Sequence, residues 1–125
     1  NIACIVATHD KNDALSFADN LNIIKDNKIL KNDSPKEIYN HPKEKYIADL
    51  FDDVNELTIN NKTVLLYPHQ IQVVEKSALE ATVLNSYFKG SYWLIEANFS
   101  GQKVFFNHNL EIKKINKVYL QINKR

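Results

Sequence analysis

An α+β fold is predicted for this 125-residue chain, with an α/β-like first half followed by a small antiparallel barrel. Three observations predict it. The opening run Ile2-Ala3-Cys4-Ile5-Val6-Ala7 is almost wholly apolar and ends in Thr8-His9-Asp10, the pattern of a buried parallel strand that carries polar groups at its end. Apolar residues at helical spacing and a helix-capping sequence at Ser34-Pro35-Lys36-Glu37 follow it. From about Glu56 the period changes from helical to alternating, which places a domain boundary near Asn55.

Taken in order, the strand Ile2 to Ala7 needs neighbours on both sides, and the chain therefore reads as a piece cut from something longer. In open α/β sheets ligands lie beyond the carboxyl ends of strands, so His9 is a candidate site residue. The alternative for His9 is a strand-end histidine that caps a carbonyl or meets solvent. Asp10 or Asn12 can cap a helix whose Ala14, Ala18 and Leu21 recur at helical spacing. Leu21 to Lys25 and Lys28 to Lys31 read as strands around Asp26-Asn27, a pair suited to a two-residue hairpin. Ser34 caps a helix from Pro35 to about Asn40, with Glu37 placed to reach back to the serine amide. Pro42 restarts a helix that puts Tyr46, Ile47, Leu50 and Phe51 along one side.

In the second half the expected strands are Lys62 to Tyr67, Ile71 to Val74, Leu79 to Phe88, Ser91 to Phe99, Lys103 to Asn107 and Val118 to Ile122. Turns at Asn60-Asn61, Lys89-Gly90 and Ser100-Gly101 separate several of them. Along Ser91 to Phe99, strict alternation places Trp93, Ile95, Ala97 and Phe99 on one face. Tyr92, Glu96 and Asn98 take the other.

Composition narrows the function classes. Sixteen basic and 15 acidic residues leave a net charge of +1, which gives no field to attract nucleic acid or an anionic surface. The single cysteine, Cys4, cannot form an internal disulfide and reads as a small buried side chain. No apolar run approaches the roughly 20 residues that span a bilayer. His41, His69 and His108 are too scattered for metal-ligand spacing, so no metal site is expected. The aromatics Tyr87, Phe88, Tyr92, Trp93, Phe105 and Phe106 offer either a stacking platform or barrel core, and the charge balance favours core. Lys113, Lys114, Lys117 and Lys124 read as a solvated face.

The series Ala7-Thr8-His9-Asp10, Asp13-Ala14, Ala18-Asp19-Asn20-Leu21, Ile23-Ile24, Lys28-Ile29, Ser34-Pro35-Lys36-Glu37-Ile38-Tyr39, Pro42, Tyr46-Ile47-Ala48 and Val54-Asn55 resembles the end of an ABC-transporter ATPase domain. The likeness is collinear over nearly half the chain. Asp13 stands where that family usually has Glu, and Asn27 where it usually has Gly. The resemblance implies that His9 contacts the γ-phosphate of ATP and helps hold the attacking water, with Asp10 supporting the loop or serving only as a helix cap. The second half resembles the small OB-type, transport-associated barrel that follows the ATPase domain in such importers, nearest to those for iron(III) and polyamines. Tyr67-Pro68-His69-Gln70-Ile71 stands at that barrel's Arg-Pro-Glu motif with both charged residues replaced, and Ala81 to Gly90 follows its strand-and-turn pattern.

The implied architecture is the C-terminal remnant of a P-loop NTPase α/β domain over residues 1–55 and an OB-like regulatory β-barrel over 56–125. A glycine-rich phosphate loop has no place in a sequence whose two glycines are Gly90 and Gly101. The resemblance thus implies that ATP and Mg are cofactors of a longer parent, and that this stretch alone neither binds nor hydrolyses ATP. It also implies a second ATPase subunit and membrane permease subunits as partners, no nucleic acid, and a place at the cytoplasmic face of the inner membrane. A non-enzymatic module whose barrel senses a small ligand is the alternative.

Overall fold

The structure, a computed structural model, describes Ile5, Ala7, Thr8 and residues 10–123. His9, Cys4 and most of the strand expected over Ile2 to Ala7 lie outside the described residues. Ile5 and Ala7 belong to no strand, and Ile5 is exposed. The chain divides into two compact units, residues 1–52 and 53–125.

The first unit holds helix α1 (Lys11–Phe17), the hairpin of β1 (Leu21–Lys25) and β2 (Lys28–Asp33), and helices α2 (Pro35–Asn40) and α3 (Lys45–Asp49). Asp26 and Asn27 have φ of 53° and 62°. Both values suit the type I′ turn that matches strand twist, and both residue types tolerate it. Ser34 Oγ accepts from the Glu37 amide at 3.3 Å, and Pro35 supplies a pre-set φ at the first helical position. The reciprocal half of the expected capping box is not used in that form. Asp33 accepts the Ser34 amide at 2.8 Å in place of Glu37.

Two helix expectations are corrected. α1 ends at Phe17 with Ala18 extended at its C-cap, so Ala18 and Leu21 are not on its stripe. α3 begins at Lys45 and not at Pro42, because Lys43 takes φ 62° and interrupts helical winding. Ile47, Ala48 and Phe51 are buried while Tyr46 and Leu50 are exposed, so Ala48 takes the inward place assigned to them. Ile38, Ile47 and Phe51 form this unit's core, with Leu15, Leu21, Ile23 and Tyr39 packed against it.

The second unit is antiparallel β. Its strands are β3 (Asn55–Ile59), β4 (Lys62–Leu66), β5 (Ile71–Val74), β6 (Leu79–Phe88), β7 (Trp93–Phe99), β8 (Gln102–His108) and β9 (Lys117–Ile122). β3 and β4 form a hairpin, and the other five form a sheet in the order β5-β9-β6-β7-β8. The end strands β5 and β8 approach each other, so the sheet curls around one core. That core gathers Leu66, Val83, Ile95, Val104 and Phe106, with Trp93 and Phe99 half-buried at its edge. Positive φ at Asn60 and Asn61 and at Ser100 and Gly101 makes two more hairpin turns of the same kind as Asp26-Asn27.

β3 is not among the expected strands, the boundary being placed near Asn55 and the first expected strand at Lys62. Its position depends on side chains. Asn55 Nδ2 donates to the Phe105 carbonyl at 2.7 Å and Asn55 Oδ1 accepts from the Phe105 amide at 2.8 Å. Gln102 Oε1 accepts from the Thr58 amide at 2.8 Å, and its Nε2 donates to the Thr58 carbonyl at 3.0 Å. Each carboxamide stands in for a peptide unit and pairs with both backbone groups of its partner residue. Two side-chain rungs thereby join β3 to the free side of β8.

Candidate functional site

Asp10 is the sequence-predicted site residue that the structure describes. Its side chain accepts from the Asn12 amide at 2.8 Å as the N-cap of α1, and its own amide donates to Thr8 Oγ1 at 3.0 Å. A cap satisfies one of the orphan amides of the first turn and fixes where the loop enters the helix. Asp10 is therefore a positioning residue for the entry to α1. His9, immediately before it in sequence, lies outside the described residues.

Gly90 and Gly101 sit in the turns after β6 and β7 at φ 91° and 80°. Among the described residues no group of His, Cys, Asp or Glu is arranged to hold a metal ion. His41 ends α2, His69 stacks on Tyr67 at 5.7 Å, and His108 turns its Nδ1 toward the backbone of Leu110. The Tyr67-Pro68-His69-Gln70 segment is a single 3-10 turn, closed by the Tyr67 amide donating to Gln70 Oε1 at 2.8 Å.

The second unit does hold one polar cluster that strict alternation misses. Between Val83 and Asn85 the β6–β7 register shifts, and Leu84 is the extra residue. Ala81 and Val83 face the core before this bulge. After it, Asn85 pairs with Glu96 and Tyr87 with Leu94, so the bulge re-aims both side chains to the outer face. There Tyr87 Oη donates to Glu96 Oε1 at 2.8 Å, and Asn85 Nδ2 donates to the same oxygen at 3.2 Å. Lys103 Nζ lies 3.2 Å from Oε2. Glu96 is thus buried on a face expected to be solvated. The Tyr87 hydroxyl bond holds its carboxyl below the usual range against the cost of burial, helped by Asn85 and Lys103. The same bond raises the Tyr87 phenol.

A lowered carboxyl pKa adds stability above the unfolded value and loses it as pH falls through the folded one. The melting temperature of the wild type should therefore fall more steeply than that of Glu96→Gln, which has no proton to gain, as pH drops below about 4.5. Parallel pH profiles for the two proteins would contradict the network.

The aromatics divide. Phe106 is core, Trp93 and Phe105 are half-buried, and Tyr87, Phe88 and Tyr92 are exposed. Phe88 lies 5.1 Å from Trp93 at the β6–β7 hairpin. Among the described residues no helix is long and apolar enough to cross a membrane.

No family model matches the chain. Curated proteins do. The spermidine/putrescine import ATP-binding protein PotA of Trichormus variabilis is 34% identical over 79 residues, covering 63% of this chain and 20% of that protein. PotA of Clostridioides difficile is 27% identical over 86% of this chain and 39% of its own length. PotA of Borreliella afzelii is 33% identical over 60% of this chain and 22% of its own length. The chain spans between 15% and 39% of the length of the curated relatives it matches. Its homologues are thus ATP-binding proteins of ABC importers, as the motif series from Ala7 to Asn55 implied, and the chain matches a part of them.

Proposed function

We propose that this chain is the C-terminal part of the ATP-binding subunit of an ABC importer, with residues 1–55 ending its ATPase domain and residues 56–125 forming an OB-type regulatory and dimerisation barrel. The similarity to import ATP-binding proteins over 60% to 86% of the chain carries this reading. Within the longer subunit, His9 acts as the switch-loop histidine, directing a donor at the γ-phosphate and the attacking water. Asp10 ties the loop to α1 through its cap. Phosphoryl transfer depends on such positioned charge more than on covalent chemistry, so one imidazole at the loop has a large effect on turnover. ATP and Mg are held by other parts of that subunit. A second copy of the subunit and the membrane permease complete the importer at the cytoplasmic face of the membrane. A polyamine is the solute that the names of the relatives suggest.

Titration calorimetry with Mg-ATP tests the division of labour. The 125-residue chain should give no heat of binding, because its sequence has no phosphate-cradling glycine loop. Micromolar binding, about 8 kcal/mol, would show a nucleotide site built from these residues and overturn the proposal.

A further inference from the structure

β4 keeps one side open. In its hairpin with β3, Ile59 faces Lys62, Thr58 faces Thr63 and Leu57 faces Val64. Backbone groups of successive residues point to alternate sides of a strand. The side that Thr58 uses is fixed by Gln102 of β8, whose carboxamide meets the Thr58 amide at 2.8 Å and the Thr58 carbonyl at 3.0 Å. Thr58 therefore turns away from β4, and Thr63 opposite it turns away from β3. Leu65, two residues on, does the same. Among the described residues no hydrogen bond takes the outward backbone groups of Thr63 or Leu65. Thr63 is exposed and Leu65 half-buried. The free side of β8 is treated differently, since the Asn55 carboxamide meets both backbone groups of Phe105 there. Nothing blunts the β4 edge from Thr63 to Leu65, which holds no proline, bulge or charge.

We infer that β4 pairs with β4 of a second copy of this chain, antiparallel about a twofold axis at Val64. Thr63 then lies opposite Leu65 of the second copy, and Leu65 opposite its Thr63. Each of these pairs exchanges both N–H···O bonds, so every outward group gains a partner. Val64 meets Val64 in the closer, non-bonded position, where β-branched side chains pair well. Lys62 is the one charged residue of β4 and falls opposite Leu66 of the second copy, so like charges do not meet. A strand from another polypeptide would leave its own far edge open. In the twofold pair the outer strand on each side is β3, already tied to β8 through side chains, so no new edge is made. The pairing deepens the dimerising role proposed for residues 56–125 and rests on that reading for its place in the importer.

Sedimentation velocity on the 125-residue chain should show a monomer–dimer equilibrium, weak because one strand from each copy makes a small contact. Hydrogen exchange at the Thr63 and Leu65 amides should slow as the dimer fills, about tenfold once roughly nine-tenths of the chain is dimeric. Thr63→Lys with Leu65→Lys sets lysine opposite lysine in this register and should abolish the dimer. Thr63→Lys with Leu65→Glu sets opposite charges together at the same two positions and should keep it. A chain that stays monomeric, a dimer whose Thr63 and Leu65 amides exchange at the monomer's rate, or equal dimerisation by the two variants would each overturn the inference. The exchange measurement needs no substitution, so a variant that fails to fold does not decide it. A dimer with unprotected amides would leave the barrel's dimerising role standing on another surface. A monomer would leave the importer reading to the Mg-ATP titration.

Discussion

Replacing Asn55 with alanine is expected to destabilise the second unit by about 3 kcal/mol. The carboxamide serves three backbone groups at once, the Phe105 amide, the Phe105 carbonyl and the Leu66 carbonyl. Asn55 is buried, so water does not readily replace what alanine removes. Buried polar groups left without partners cost more than the bonds contribute when made, and here a donor and two acceptors are orphaned together. Gln102→Ala is the matched control. It removes the other rung between β3 and β8, but the Thr58 groups it serves are exposed and can turn to water, so its loss should stay near 1 kcal/mol. The only tryptophan, Trp93, lies in β7, so fluorescence-detected urea unfolding reports this unit. Equal losses for Asn55→Ala and Gln102→Ala would show that burial does not set the cost.

β3 is absent from the expected strands although its burial alternates along Asn55–Ile59. Alternation and turn residues identify β4 to β9, which pair backbone to backbone as β3 also does with β4. Their expected limits fall within about two residues of the observed ones, an offset normal at element ends. β3 pairs with β4 through its backbone and alternates in burial, but its first inward position is an asparagine. Asn55 looks like a loop residue in sequence because asparagine is common in loops, yet here it is buried as a surrogate peptide.

The Glu96 cluster was hidden for a different reason. Period-two counting from Val83 sends Asn85 and Tyr87 inward and leaves Glu96 solvated. The extra residue Leu84 reverses that parity for the rest of β6, and Glu96 gains two partners across the hairpin. A bulge adds one residue without a composition signal, so only the opposing pairs reveal it. In the first unit the local chemistry was more readable. Asp26-Asn27, Ser34-Pro35 and Asp10 each act within a few residues of themselves, and each does what its residue type prescribes. Lys43 shows where that fails, since nothing in a lysine announces a left-handed backbone.

The proposed switch-loop role rests on His9. Within the complete ATP-binding subunit, His9→Ala should leave Mg-ATP affinity within a few-fold of wild type while ATP turnover falls on the order of 100- to 1,000-fold, the usual loss when one donor to transition-state charge is removed. The expected pattern separates chemistry from binding, because an interaction made chiefly in the transition state lowers kcat without raising KM. Asp10→Ala is the informative companion. Loss of the α1 cap should lower turnover less and lower stability by about 1 kcal/mol, as a positioning residue would. The measurement that tests the central claim most directly is the steady-state ATPase rate of the His9→Ala subunit beside its Mg-ATP affinity. The account predicts a collapsed rate with affinity retained, and a rate within a few-fold of wild type would contradict it.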